Sequence, residues 1–185
     1  QVSKDIDLKI VYEFTNKRKV CKRCYVNWFE KKFLSTIRKF SLIGKEETIG
    51  YYNKKDFRSV VLKKLLEIFE TKTLSEIKKI TNKNKKQIDT IAIPTTLDTT
   101  SKKIIQETIN GKLDTKEFLP KQHNIIKPLY LFLDKEVTLY AKLKKLDFKK
   151  PKKEKKDEAS ELIDNLEKKH PEIKRAIVNS YLKIR

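Results

Sequence analysis

The chain has no methionine, two cysteines, one tryptophan and three glycines in 185 residues. Two cysteines, Cys21 and Cys24, cannot build the multi-bridge framework of a small secreted domain. No apolar run reaches the roughly eighteen residues of a membrane span, and no charged segment leads into an apolar stretch at the start, as a signal peptide requires. A cytoplasmic protein without membrane association is expected. A chain that opens on Gln and holds no Met is expected to lack native residues, at its start or within. With only Gly44, Gly50 and Gly111, nearly every turn must be made by residues that carry a Cβ.

Acidic residues are also in short supply. Against 25 Asp plus Glu stand 45 Lys plus Arg, a net charge of +20. That excess suits a polyanion, nucleic acid first and an anionic membrane second. A lysine-rich proteome or a heat-adapted surface would also raise the charged share to its 38%. The length allows one domain with a real core and a small appendage.

Residues 8–14, LKIVYEF, have strand character, and NKRKV leads from them to CKRC. Over 26–40, Phe29, Phe33, Ile37 and Phe40 recur at helical spacing while Lys31, Lys32, Ser35, Arg38 and Lys39 line another face. Such a stripe is either a solvated face or a binding face. In TKTLSEIKKITNKNKKQ, Ser75 or Thr73 is placed to cap a short helix. IDTIAI, 88–93, reads as a buried strand closed by Pro94. A helix over 100–109 with Ile104, Ile105 and Ile109 on one face stops at Asn110-Gly111. NIIKPLYLFL is extended and leads to a helix over 135–146 with Asp134 as N-cap and Val137, Tyr140 and Ala141 inward. FKKPKKEKKDE is a charged linker, and two helices divided at His170-Pro171 end the chain. Strand–helix alternation predicts an α/β fold with a small parallel sheet.

Residues 46–69, EETIGYYNKKDFRSVVLKKLLEIF, join a strand to a helix through the bend YNKKD. A helix N-terminus after such a bend offers free N–H groups and a positive dipole end to a phosphate. A phosphate cradle normally needs glycines for close backbone approach, and this bend has none.

Several segments, in order, resemble the PP-loop tRNA 2-thiolation family, the cytosolic thiouridylases and TtuA-like enzymes. KVCKRCYVNWFEKKFLSTIRKFSLI resembles the second half of the family's zinc ribbon and its basic helix. ETIGYYNKKDFRSVVLKKLLEIF falls on its strand, SGGKDS loop and helix. IDTIAIPTTLDTTSKKIIQETINGKLD falls on its GHNLDDEA segment. IKPLYLFLDKEVTLYAKLKKLDF is similar to its KPL…EKEV.LYA segment almost residue for residue, and HPEIKRAIVNSYLKI to its last helix. The resemblance implies a Rossmann-like PP-loop (HUP-type) sheet of reduced strand number, with flanking helices, a ribbon remnant and C-terminal helices. It divides the chain into a degenerate ribbon-like segment, 1–25, a basic helix and linker, 26–44, a reduced α/β domain, 45–148, and a charged linker with helices, 149–185.

The departures fall on the chemistry. The loop that wraps ATP pyrophosphate in the family is here Tyr52, Asn53, Lys54, Lys55, Asp56 and Phe57, which keeps only the Lys and the Asp. Gly-His-Asn of the second nucleotide segment becomes Pro94-Thr95-Thr96, and Asp98 is kept while Thr99 and Thr100 replace acidic residues. Lys55, Asp56 and Asp98 are therefore read as vestigial nucleotide residues. The family's catalytic cysteine pair is absent where FETKT passes into LSEIKK, the intervening strands are expected to be missing with it, and the cysteine before Lys-Pro-Leu is Ile126.

Cys21 and Cys24 have zinc-knuckle spacing, but structural zinc takes four ligands, and QVSKDIDLKI lacks the family's first pair. No cofactor is expected, with zinc held there only if further ligands exist. No redox context surrounds the pair, so a thioredoxin-type role is not expected. Because the family's ribbon and basic helix lie beside the tRNA path, the resemblance makes Lys17, Arg18, Lys19, Lys22, Arg23, Lys31, Lys32, Arg38 and Lys39 candidate tRNA contacts. The expected function is that of a pseudoenzyme, similar to the family's second cytosolic subunit, whose loop is also degenerate. It would pair with a catalytic paralogue, as a heterodimer or homodimer, and extend the tRNA surface for wobble-uridine thiolation. An ATP-binding enzyme with a divergent loop and a stand-alone RNA-binding module are the alternatives.

Overall fold

The computed structural model describes residues 9–112, 116–149 and 157–184. An antiparallel hairpin, β1 (Ile10–Glu13) and β2 (Lys19–Cys21), leads into an eighteen-residue helix, α1 (Lys22–Lys39). The hairpin turns at Lys17, which takes a positive φ of 62°. The helix expected over 26–40 thus begins at Lys22. Tyr12 and Phe14 of the hairpin meet Trp28 of α1 at ring centroid distances of 6.3 and 4.7 Å, so aromatic contacts fasten this ribbon to the helix.

The sheet has the order β4-β3-β5-β7-β6, where β3 is Thr48–Tyr51, β4 Glu76–Lys79, β5 Thr90–Ala92, β6 Lys121–Gln122 and β7 Ile125–Ile126. Only β6 runs antiparallel. The helices are α2 (Phe57–Glu70), α3 (Leu97–Ile109), α4 (Asp134–Leu143), α5 (Glu158–Lys169) and α6 (Ile173–Lys183). Right-handed crossovers that step from β3 through α2 to one side, and from β5 through α3 to the other, place α2 and α3 on opposite faces. The core divides accordingly. Phe29, Phe33, Val61, Leu65, Val137 and Tyr140 pack α1, α2 and α4 together, while Leu97, Ile104, Tyr130, Val178 and Tyr181 join α3 to α6.

Three expectations need correction. The short helix after Thr73 is the edge strand β4, whose four residues pair in parallel with β3. Thr73 turns back to the Phe69 carbonyl at 3.1 Å, and Ser75 is buried without capping anything helical. In α3 the buried face is Leu97, Thr100, Ser101 and Ile104, and Ile109 is exposed. The N-cap of α4 is Leu133 instead of Asp134, with the Glu136 side chain accepting the Leu133 N–H at 3.0 Å. Of the charged linker, 148–158, residues 150–156 lie outside the described residues, and Glu158 already begins α5. The strands at 10–13, 48–51 and 90–92, the stop of α3 at Gly111 (φ +65°) and the division at His170-Pro171 are as expected.

Glu136 is almost wholly buried and accepts from Lys32 Nζ of α1 at 2.7 Å and from Arg175 of α6 at 3.3 Å, while its carbonyl accepts Tyr25 O–H at 2.8 Å. Replacing Glu136 by Gln leaves Lys32 buried without a counter-charge, so denaturant unfolding should show a loss of about 2–4 kcal/mol. Burial pulls the Lys32 ammonium down to about 8 against the attraction of Glu136. Between there and its ordinary 10.5 the unfolded chain binds more protons than the folded one, so Lys32 makes stability rise with pH over that interval. Denaturant titrations from pH 7.5 to 10 should show that component in the wild type and not in Lys32→Met.

Candidate nucleotide crevice and basic helix

In open α/β sheets a ligand sits outside the carboxyl ends of the strands, where the chain's crossovers diverge. Here that point lies between β3 and β5, so the loops at 52–56 and 93–96 face one crevice. The topology thus brings together the two segments singled out in the sequence. What fills the crevice is a polar network made by the chain itself.

Asp56 is the N-cap of α2. Its carboxylate accepts the N–H groups of Arg58 and Ser59 at 3.1 and 3.0 Å and the Ser59 hydroxyl at 2.6 Å. The donors that a phosphate would need at this helix end are therefore engaged internally. Arg58, two residues on, holds Asp134 in a two-pronged pair, with Nε at 2.8 Å from Oδ1. That bond raises the Arg58 guanidinium further against the opposing effect of burial. Thr96, the N-cap of α3, donates its hydroxyl to the same Asp134 oxygen at 2.8 Å. Asp98 accepts the Asp134 backbone N–H at 2.7 Å and pairs with Lys174 of α6 at 2.8 Å. Lys174 also reaches Glu167 of α5 at 2.6 Å; burial opposes its charge, and these two carboxylates overcome it and hold its ammonium above the ordinary range.

Four carboxylates, Asp56, Asp98, Asp134 and Glu167, and two cations, Arg58 and Lys174, thus make up this network. Lys55 stays exposed at the bend, and its carbonyl accepts the Lys149 N–H at 2.8 Å, so the segment after α4 runs along the loop, with Phe148 against Phe57. Of the three vestigial residues, Asp56 and Asp98 are committed to structural bonds. Arg58 and Lys174 carried no sequence signal, because their partners lie 76 residues away. Asp134 was legible only as a helix-end residue.

The basic residues separate into groups. Lys31 and Arg38, seven positions apart, share one stripe of α1, while Lys22, nine before Lys31, points to the opposite side of the helix. Arg18, Lys31, Cys24 and Trp28 line one surface cavity of about 490 Å³; Lys22, Arg23 and Cys21 line another of about 840 Å³. Lys17, Arg18, Lys19, Lys22, Arg23, Lys31, Arg38 and Lys39 are exposed, Lys19 beside Glu13 at 3.8 Å. Lys32 departs from the expected surface role: it lies over the rings of Trp28 and Phe132 and pairs with buried Glu136.

Cys21 is the N-cap of α1, and Cys24 lies in its first turn. Among the described residues no group of three His, Cys, Asp or Glu is placed to hold a metal. The neighbouring Cys24 lowers the pKa of the Cys21 thiol, and Cys21 in turn raises that of Cys24.

No protein-family model and no curated protein matches the chain. Among solved structures, the U34-tRNA thiolase NcsA from Methanococcus maripaludis, determined with its [4Fe-4S] cluster, is similar in fold. Its TM-score is 0.77 over 95% of this chain and 84% of that one, at 19% identity. The chain thus has the Rossmann-like α/β fold seen in that structure. The cluster does not fit here, since Fe–S clusters are held by three or four thiolates and this chain has two cysteines, both beside α1. Structural zinc, with four ligands, does not fit the described residues either.

Asp134→Ala should cost about 1–3 kcal/mol by leaving Arg58 and Thr96 without their acceptor. A double-mutant cycle with Arg58→Ala should recover a coupling of about 0.5–3 kcal/mol; additive losses would show that the pair holds nothing together.

Proposed function

We propose that this chain is a non-catalytic member of the PP-loop tRNA 2-thiolation family, a pseudoenzyme that supports wobble-uridine thiolation. It binds tRNA along α1 and pairs with a catalytic paralogue. The observation that carries this reading is the crevice network, in which Asp56 and Asp98 serve as helix cap and ion-pair partner and Arg58 is held by Asp134, so that these groups are taken up by the chain itself. The fold likeness to a U34-tRNA thiolase supports the family, and the shortage of thiols supports the loss of chemistry.

For tRNA, the reading relies on the exposed cations of the hairpin turn and α1: Lys17, Arg18, Lys19, Lys31, Arg38 and Lys39, with Lys22 and Arg23 on the adjoining side. Spaced point charges on a rigid helix engage phosphates and carry little base readout, so binding is guided by shape and weakens with salt. Lys32 contributes to stability instead.

Calorimetry with ATP and magnesium should show no binding tighter than about 1 mM; micromolar binding would return the chain to the ATP-dependent enzymes. Lys31→Ala with Arg38→Ala should weaken tRNA binding and flatten its salt dependence by about 1.5 in log–log slope. Affinity purification should recover a PP-loop paralogue, and deletion should lower wobble-uridine 2-thiolation. Intact thiolation after deletion, with tRNA still bound and no paralogue recovered, would leave a stand-alone RNA-binding module.

A further inference from the structure

The exposed cations of α1 suit a phosphate backbone, but the aromatic cluster beside them answers to something else. Between the hairpin and the first turns of α1 lies the surface cavity of about 490 Å³. Arg18 and Val20 line it from the hairpin, and Asn27, Trp28, Lys31 and Ser35 from the helix. Those helix positions share one stripe, and Arg38, one turn past Ser35, carries the same stripe beyond the cavity. A strand whose phosphates follow α1 therefore passes the cavity mouth. Among the described residues no Asp or Glu lines it, and Lys32, which also reaches it, has its charge met by Glu136, so the available positive charge is that of Arg18 and Lys31.

The half-buried indole of Trp28 is fixed by Tyr12, Phe14 and Tyr25, at ring centroid distances of 6.3, 4.7 and 5.5 Å. Arg18 is steadied as well, with its Cζ 4.7 Å from the Phe14 centroid, which sets a planar cation beside the aromatic wall. Asn27 and Ser35, both exposed, add an amide and a hydroxyl that can bond the edge of a base. Aromatic walls, guanidinium planes and polar groups for base edges are what proteins use on unstacked bases, whereas a duplex keeps its bases out of such a recess. We propose that this cavity takes one unpaired nucleotide of the bound RNA, its base against Arg18 and Trp28 and its phosphate at Lys31. Resting on the reading of α1 as an RNA face, the site adds what the charge stripe lacks, a preference for single-stranded segments over duplex.

Trp28 is the chain's one tryptophan, so the intrinsic tryptophan fluorescence of the full chain reports on this site. Oligo(U) and oligo(A), titrated in at low salt, should quench that emission. A blunt RNA duplex carrying a dye should bind, by its anisotropy, and leave the emission unchanged. Asn27→Leu with Ser35→Leu puts a better helix former at two exposed helix positions, changes no charge and fills the cavity from its rim. It should weaken oligonucleotide binding about tenfold, the worth of one base stack, and keep duplex binding within about twofold, since the phosphate contacts are untouched. Oligonucleotide binding with unchanged emission, equal quenching by the duplex, or equal affinity in the double variant would overturn the nucleotide site while the RNA face stands. Failure of every RNA to bind would overturn the RNA face and the site with it.

Discussion

The first turn of α4 is the knot on which the rest of the molecule depends. Asp134 and Glu136 are two positions apart, about 200° around a helix, so their carboxylates leave the helix in nearly opposite directions. Asp134 ties in Arg58 of α2 and Thr96 of α3, while Glu136 ties in Lys32 of α1 and Arg175 of α6. The backbone joins in as well, because Asp134 N–H goes to Asp98 and the Glu136 carbonyl receives Tyr25 O–H. Both faces of the sheet are thereby referenced to one short segment. Buried carboxylates are costly unless their charge and lone pairs are met, and Glu136 is met by a lysine, an arginine and a main-chain N–H.

The same knot decides what the crevice can do. A nucleotide site at a sheet's crossover point works by leaving helix N–H groups and cations free for phosphate. Here the helix ends that meet at that point are occupied: Asp56 caps α2, Thr96 caps α3, and Asp134 draws Arg58 across. Lys174, which could have served a phosphate, arrives from α6 already held by Asp98 and Glu167. The kinds of group that a phosphate site leaves free, helix N–H groups and cations, here stabilise the chain itself.

Much of this was open to sequence reading where local physics dominates. The heptad-like apolar spacing of α1, the β-branched run at 88–93 and the glycine stop at 111 each identify an element by themselves. What failed did so for identifiable reasons. Strand β4 offers a single half-buried apolar residue, Ile77, and is held by main-chain pairing to β3 that no side chain announces. Helices α1 and α4 end at Ser41 and Lys145, both in the left-handed region, where glycine would have been the signal. Gly50, inside β3, is a packing glycine whose partners lie far along the chain: a Cβ there would lie 2.8 Å from Ile80 and Ile88.

The sequence by itself determined the α/β class, the charge of +20, the glycine-free bend and the shortage of thiols, because these are properties of composition and of neighbours along the chain. Only the tertiary structure decided which charges are available. Lys32 and Arg38 are cations of the same helix, yet one is paired with buried Glu136 and the other exposed, and Asp98 found its cation 76 residues away. The reason is that pairing and desolvation depend on distance in space, and folding sets those distances between residues whose separation in sequence carries no information about them.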